Sequence, residues 1–445
     1  MTTISGPRGH LLKILGVSFG VAVSVGQIIG SGILRAPAEI AGEVPGVGLI
    51  LILWILGAIQ AAMMANMFAE LSTALPKSGG GYVFAHRAFG DVGGLIYGWA
   101  DWLSCLAGAA AASVSFAEFL PLVLPAAGGH KIAVAVALQL ALYAANIAGL
   151  REGRAIQLVT SLVKAAMLFV FILTAILFAA PAEPKTALVS SSLWSVGGIV
   201  LAYKLIIGAY AGWATPVYFT GENVEPSRSI PRALFIGIAL TGLLYFGINA
   251  ALLHVLGNRG AAASPLPFTT VLQHFGGDGP SFLFALTAMI TVASCANACI
   301  MPAPRILYAL AQDGLLPRAF GIVNGGGSPT FGFVFSGLVS IGLALSGTFA
   351  LVFGLIGTLN TALAVLVELG FFVLRRREPH LVRPFRAVGY PWLPGIELGF
   401  DVSLLCLIAF ADRVGVAVAL GLGLLCIPFA IMARRTHRRS SQTVP

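Results

Sequence analysis

Long apolar runs alternate with short polar connections along the chain, and some twelve of them reach the length that about 30 Å of hydrocarbon demands of a helix rising 1.5 Å per residue. They fall near 14–42, 47–73, 93–124, 131–149, 155–180, 196–221, 230–257, 281–311, 330–347, 349–374, 392–411 and 414–433. The longest polar stretches, about 10 to 20 residues, are too short to fold as domains of their own. The pattern predicts an all-α membrane protein with a single integral-membrane domain over residues 1–445. The polar start runs into a first span too long for the apolar core of a cleavable signal.

Two runs are interrupted at comparable places, VSVGQIIGSGILRAP (Val23 to Pro37) and KLIIGAYAGWATP (Lys204 to Pro216). In hydrocarbon every backbone N–H and C=O needs a partner, so a helix broken by Gly30-Ser31-Gly32 persists only where protein or a water-filled cavity covers the break. A break recurring in corresponding helices of two halves points to a secondary transporter with a midplane substrate site. Spans one to five (1–180) and spans six to ten (196–374) each open on such a helix. An odd number of spans per half makes the halves antiparallel, a five-plus-five inverted repeat followed by two extra C-terminal helices over 392–433.

Composition agrees with a bilayer: 58% of residues are hydrophobic and 10% are charged, against roughly a quarter charged in soluble domains. The net charge of +9 would suit nucleic acid, but its placement argues otherwise. With both termini cytoplasmic, the inside connections collect most of the arginines, including Arg375, Arg376, Arg377, Arg383 and Arg386, while the outside ones hold Lys131, Lys185, Arg259 and Arg413. That asymmetry is a topology signal and needs no nucleic acid. The expected location is a plasma membrane of the bacterial inner-membrane type. Cys105, Cys295, Cys299, Cys406 and Cys426 lie in apolar spans without metal-type spacing and are expected to be small packing residues. No metal or cofactor is implied.

Five strings then occur in order: IIGSGI (Ile28 to Ile33), AEL…P.SGGGYV.A.RAFG (Ala69 to Gly90), AYAGW (Ala209 to Trp213), ENVEPSRSIPRA (Glu222 to Ala233) and R..YALAQDGLLP (Arg305 to Pro317). Together they resemble the amino acid–polyamine–organocation (APC) family of permeases. The resemblance implies the LeuT-like inverted-repeat fold with broken helices one and six. It also implies amino-acid transport by proton coupling or exchange.

For a zwitterionic substrate the site must satisfy a carboxylate and an ammonium where an unpaired charge costs several kcal/mol. Backbone can do this. The amides of Ser31, Gly32 and Ile33 open a half-helix whose positive end suits a carboxylate. Carbonyls of Gln27, Ile28 and Ile29 before the break, joined by those of Gly208 and Ala209, can accept from the ammonium. The resemblance assigns these same positions, with Gly30 at the break and Tyr210, Ala211 and Trp213 in the second one. Where related permeases carry a bulky aromatic lid, this chain has Gly208, so a roomier pocket for larger apolar or aromatic side chains is expected, or a lid from Tyr210 or Trp213.

Lys164 lies roughly 15 Å into span five after Arg154, near mid-bilayer, where a lysine is functional by default. It also matches a family lysine that replaces a sodium ion against carbonyls of the first helix. Sodium independence is therefore expected, with proton coupling left open at this residue. Arg35 is an oddity, either attracting anionic substrates, stabilising the outer vestibule or pairing with Glu39 one turn on. Asp101 and Lys204 are candidate gate elements, Glu368 is a further intramembrane charge, and His254 is expected to be a satisfied histidine. Side-chain selectivity is expected from Cys105, Ala109, Ser294 and Asn297.

No Ser/His/Asp or His/Cys cluster stands at enzymatic spacing. The expected partners are an amino-acid substrate, membrane lipid and protons. The alternatives are a non-transporting amino-acid sensor and a polyamine or cationic amino acid exchanger of the same fold.

Overall fold

The computed structural model describes residues 13–127, 129–148, 150–178, 195–264, 267–273, 278–325, 327–345, 349–411 and 413–424. Cys426 and the end of the predicted last span lie outside these. The first span is two helices, α1 (Val17–Ile28) and α2 (Ser31–Glu43), bent by 44°. There follow α3 (Val47–Ala74), α4 (Gly81–Val123), α5 (Lys131–Ala148), α6 (Leu150–Phe178) and α7 (Val196–Tyr210), which leads into a 3-10 helix at Thr215–Glu222. The chain continues through α8 (Pro226–Ala263), α9 (Pro267–Gln273), α10 (Asp278–Ile300), α11 (Ala303–Gln312), α12 (Thr330–Leu345), α13 (Phe349–Arg377), α14 (Trp392–Ala411) and α15 (Arg413–Leu424).

Among the described residues nine helices are long and apolar enough to cross a bilayer, or ten when α1 and α2 count as one span. The all-helical membrane class follows directly from the apolar periods. Of the remaining two predicted spans, α12 has only 16 residues and α15 is described for 12. Outward-facing Leu162, Leu243 and Phe410 supply the apolar surface that lipid covers.

Glycine sets two departures from straight helices. The connection before the predicted third span is continuous with it as α4, kinked at Gly90 with φ of 73°, a region glycine enters without strain. In α8 the same device sits at Gly257, with φ of 63°. His254, one turn earlier, is exposed rather than enclosed, and so is Cys406, which faces outward instead of filling a core position.

The core lies where α1 meets α8 and α10 and where α4 packs on α10 and α13. Small residues permit these approaches, as expected where helices associate by close contact rather than by hydrophobic exclusion. A Cβ on Gly20 of α1 would sit 2.6 Å from Ala233 Cβ of α8, and one on Gly108 of α4 would sit 2.9 Å from Cys299 Sγ of α10.

Ion pairs close the end of the bundle that carries the arginine-rich connections. Glu70 accepts from Arg375 Nε at 2.7 Å, Arg383 Nε at 3.0 Å and the Ala387 amide at 2.7 Å. Glu222 receives Arg305 in a fork, with Nε–Oε1 of 2.6 Å and Nη2–Oε2 of 3.1 Å, both side chains being buried. The Arg305 guanidinium lies 4.5 Å above the Phe219 ring, and the Glu222 carbonyl accepts from the Ile14 and Leu15 amides. One residue, through its carbonyl and its carboxylate, thus ties the segment before α1, the 3-10 helix and α11 together. Removing one partner of a buried pair strands the other charge, so Arg305→Ala is expected to cost about 3–5 kcal/mol. Chemical unfolding of the detergent-solubilised protein measures this, and a loss below about 1 kcal/mol would contradict the assigned role.

Candidate functional site

The two interruptions meet. In the first, Ile29 and Gly30 are the extended residues, Gly30 having φ of −142° and ψ of −152°, and Ser31 already begins α2. The break therefore sits one residue earlier than the Gly-Ser-Gly string implies. In the second, Ala209 and Tyr210 end α7, Ala211 is extended, and Gly212 turns the chain with φ of 102°. A Cβ at Gly212 would lie 2.5 Å from Gln27 Cγ, so only glycine lets the two stretches approach this closely.

Hydrogen bonds lock the pair of breaks. Ser24 Oγ donates to the Trp213 carbonyl at 3.2 Å, and Thr215 Oγ1 donates to Gln27 Oε1. The Tyr245 hydroxyl on α8 lies 2.6 Å from the Ile28 carbonyl and 3.1 Å from the Ala209 carbonyl, bridging the two helix ends. Lys164 on α6 is fully buried and donates to the carbonyls of Gly26 at 2.5 Å and Ile29 at 2.8 Å. Cys295 Sγ reaches the Gln27 carbonyl at 3.5 Å. Most carbonyls expected to meet an ammonium therefore already have one protein donor, and a substrate would use their second lone pair. On the other side of the break, Gly30 has no side chain to cap α2, so its first-turn amides open as a half-helix N-terminus.

A cavity of about 170 Å³ opens against the breaks, lined by Gln27, Ile28, Gly30, Gly32, Gly208, Ala209, Ala211 and Trp213. Met64, Phe68, Cys105, Gly108, Ala111 and Ile356 give it an apolar side, and Gln60, Asp101, Ser104, Asn360 and Asp401 a polar one. Its size is close to that of a ~150 Å³ cavity that accepts benzene. Gly208 contributes backbone to its wall.

Several expected site residues stand elsewhere. Tyr210 is turned behind the cavity: its hydroxyl donates to the Trp54 carbonyl at 3.1 Å, and its ring packs 5.9 Å from Trp54 and 5.1 Å from Tyr245. Ser294 and Asn297 belong to a buried polar chain joining α10 to α5 and α6. Asn297 accepts from Asn146 at 2.7 Å and donates to Gln157 at 3.1 Å, while Thr160 donates to Ser294 at 2.9 Å. Ala109 packs among Leu142, Tyr143 and Cys295, so of the four expected selectivity residues Cys105 lines the cavity. Arg35 pairs with Glu118 of α4, across from its own helix. Asp101 lines the cavity, with the Tyr218 hydroxyl 2.8 Å from both of its oxygens.

Sequence reasoning missed Tyr245, Gln60, Glu397 and Asp401. The last two had a readable signal, two carboxylates one turn apart inside the apolar run GIELGFDVSLL.

A helical membrane bundle with two facing helix breaks around a mid-span cavity defines a secondary transporter. The family model for amino acid permeases matches residues 15–433, and the chain belongs to that family. It is 26% identical over 437 residues to the large neutral amino acids transporter small subunit 2 of Mus musculus, covering 95% of this chain and 82% of the relative. It is 27% identical over 388 residues to the b(0,+)-type amino acid transporter 1 of Mus musculus, covering 84% and 79%. To the Asc-type amino acid transporter 1 of Rattus norvegicus it is 26% identical over 396 residues, covering 85% and 73%.

The site geometry makes Gly30 testable. A Cβ there would lie 2.5 Å from Cys295 Sγ although the backbone itself accepts alanine. Gly30→Ala is expected to abolish the thermal stabilisation that a bound amino acid confers, and Gly30→Ala with Cys295→Gly to restore part of it. Thermal unfolding with and without substrate reads both, and full stabilisation of the single variant would remove the break from the site.

Proposed function

We propose that this protein carries large neutral amino acids across the membrane by alternating access, independently of sodium, with the facing breaks as its substrate site. The observation that carries this reading is Lys164. Its ammonium lies fully buried against the carbonyls of Gly26 and Ile29, where a bound cation would otherwise have to hold the interrupted helix. An ammonium on α6 supplies that charge in the place of sodium.

The substrate carboxylate would lie at the first-turn amides of Ser31, Gly32 and Ile33, its ammonium beside Gln27, Ile28 and Gly208, and its side chain toward Phe68, Met64 and Ile356. The cavity's apolar side and the missing bulk at Gly208 support large side chains, and so does the likeness to a large neutral amino acids transporter. In this reading residues 1–180 and 196–374 are inverted repeats that rock about the site, and both termini are cytoplasmic.

The test is counterflow of radiolabelled leucine or phenylalanine in proteoliposomes. Exchange is expected to be unchanged when choline replaces sodium, and Lys164→Ala, which leaves two buried carbonyls without their donor, to lower it at least tenfold. Binding without flux, sodium dependence, or preference for glycine and alanine over leucine would each overturn the corresponding part of the proposal.

A further inference from the structure

A second buried constellation adjoins the cavity. Glu368 on α13 and Glu397 and Asp401 on α14 bring carboxylate oxygens within 4.8 Å of one another, and all three side chains are at most 2% exposed. Asp401 Oδ1 accepts from Gln60 Nε2 of α3 at 2.7 Å, and Gln60 Oε1 accepts from the Tyr203 hydroxyl of α7 at 3.0 Å. Among the described residues, both oxygens of Glu368 and Oε1 of Glu397 are buried without a hydrogen-bond donor. Asp401 and Gln60 also line the substrate cavity, so the cluster and the cavity share a wall.

Three carboxylates this close, inside apolar spans, need a compensating positive charge. Around them α3 contributes Gln60 and, about 15 Å further along, Glu70. Glu70 is already held by Arg375 and Arg383. α7 contributes Tyr203 and Lys204, the latter with its stem against Gly357 near the start of α13. Arg375, Arg376 and Arg377 stand at the far end of α13, about two turns or more beyond Glu368, and Arg413 begins α15. Across the cavity the facing acid is Asp101, bonded to Tyr218. Calcium takes about six to eight oxygens. The three carboxylates and the Gln60 amide carry about seven oxygens between them, but Asp401 Oδ1 already accepts from Gln60 Nε2 and Gln60 Oε1 from Tyr203, which leaves fewer than calcium takes.

We propose that Glu368, Glu397 and Asp401 form a proton-binding site that couples proton entry to amino-acid transport. A proton from cavity water joins a carboxylate oxygen of Asp401, passes to Glu397 or Glu368, and returns to water by the same O–H exchange when the cavity opens to the other side. Because Asp401 belongs to both sites, each proton changes the charge that the substrate meets. The inference rests on the transport reading above and adds a coupling site distinct from Lys164.

Two measurements on the full-length protein test it. In proteoliposomes an inward proton gradient is expected to raise leucine uptake and to acidify a pH dye in the lumen. Glu368→Gln and Glu397→Gln are each expected to reduce the ratio of gradient-driven uptake to counterflow at least fivefold. Infrared difference spectra of the solubilised protein at neutral pH are expected to show a protonated carboxylic acid band that both variants lose, a readout that needs no transport. Wild-type counterflow with no response to the gradient, or variants that keep both the response and the band, would overturn the coupling site while leaving the transport reading intact. Stabilisation of the wild type, but of neither variant, by added Ca²⁺ or Mg²⁺ would overturn it in favour of a metal ion. Loss of counterflow in the wild type would refute the transport reading, and the infrared band would then decide the proton site by itself.

Discussion

An interrupted helix in hydrocarbon exposes polar backbone that must be satisfied from outside its own turn, and the arrangement of this molecule follows from how that is done. The freed carbonyls of α1 receive an ammonium from Lys164 and a hydroxyl from Tyr245, brought by α6 and α8. Tyr245 also reaches the end of α7, so one side chain holds both breaks. The donors fix how α6, α7 and α8 sit around α1. The amides on the other side of the break remain available, which makes the same defect both a structural joint and a binding surface.

Close approach is the second requirement, and glycine provides it. Gly32 faces the Ala209 backbone, Gly26 leaves room for Gln157, and Gly212 folds the second break onto Gln27. Any side chain at these places would push the stretches apart and separate the amides of one half-helix from the carbonyls of the other. The buried polar chain of Asn146, Asn297, Gln157 and Ser161 braces the back of the site, ending on the Ala22 carbonyl at 2.7 Å from Ser161 Oγ.

Buried charge is distributed unevenly in a way that matters to function. At the arginine-rich end each buried acid has a guanidinium, and the pairs act as joints between connections. Deeper in the bundle Asp101 and Asp401 have neutral donors, and Glu368 has none among the described residues. Asp101 and Asp401 line the cavity, and Glu368 lies beside Asp401. The contrast separates acids paired with a guanidinium from acids that have neutral donors or none among the described residues.

Much was legible in the chain alone, because a bilayer imposes length and polarity rules that act locally. Apolar runs gave the helices, Gly-Ser-Gly and Ala-Tyr-Ala-Gly-Trp marked both breaks, and a lysine at mid-span declared itself by its cost. What depends on side-chain direction did not follow from position along the chain. Tyr210 ends α7 at the second break yet points behind it, Asn297 and Ser294 turn to α5 and α6, and Arg35 reaches Glu118 of α4. Glu368 joins Glu397 and Asp401 only because α13 packs against α14. Hydropathy and backbone satisfaction are properties of a segment and can be read from it. Which groups share a cavity is decided by rotation and crossing of helices distant in the chain, and only the assembled bundle sets those.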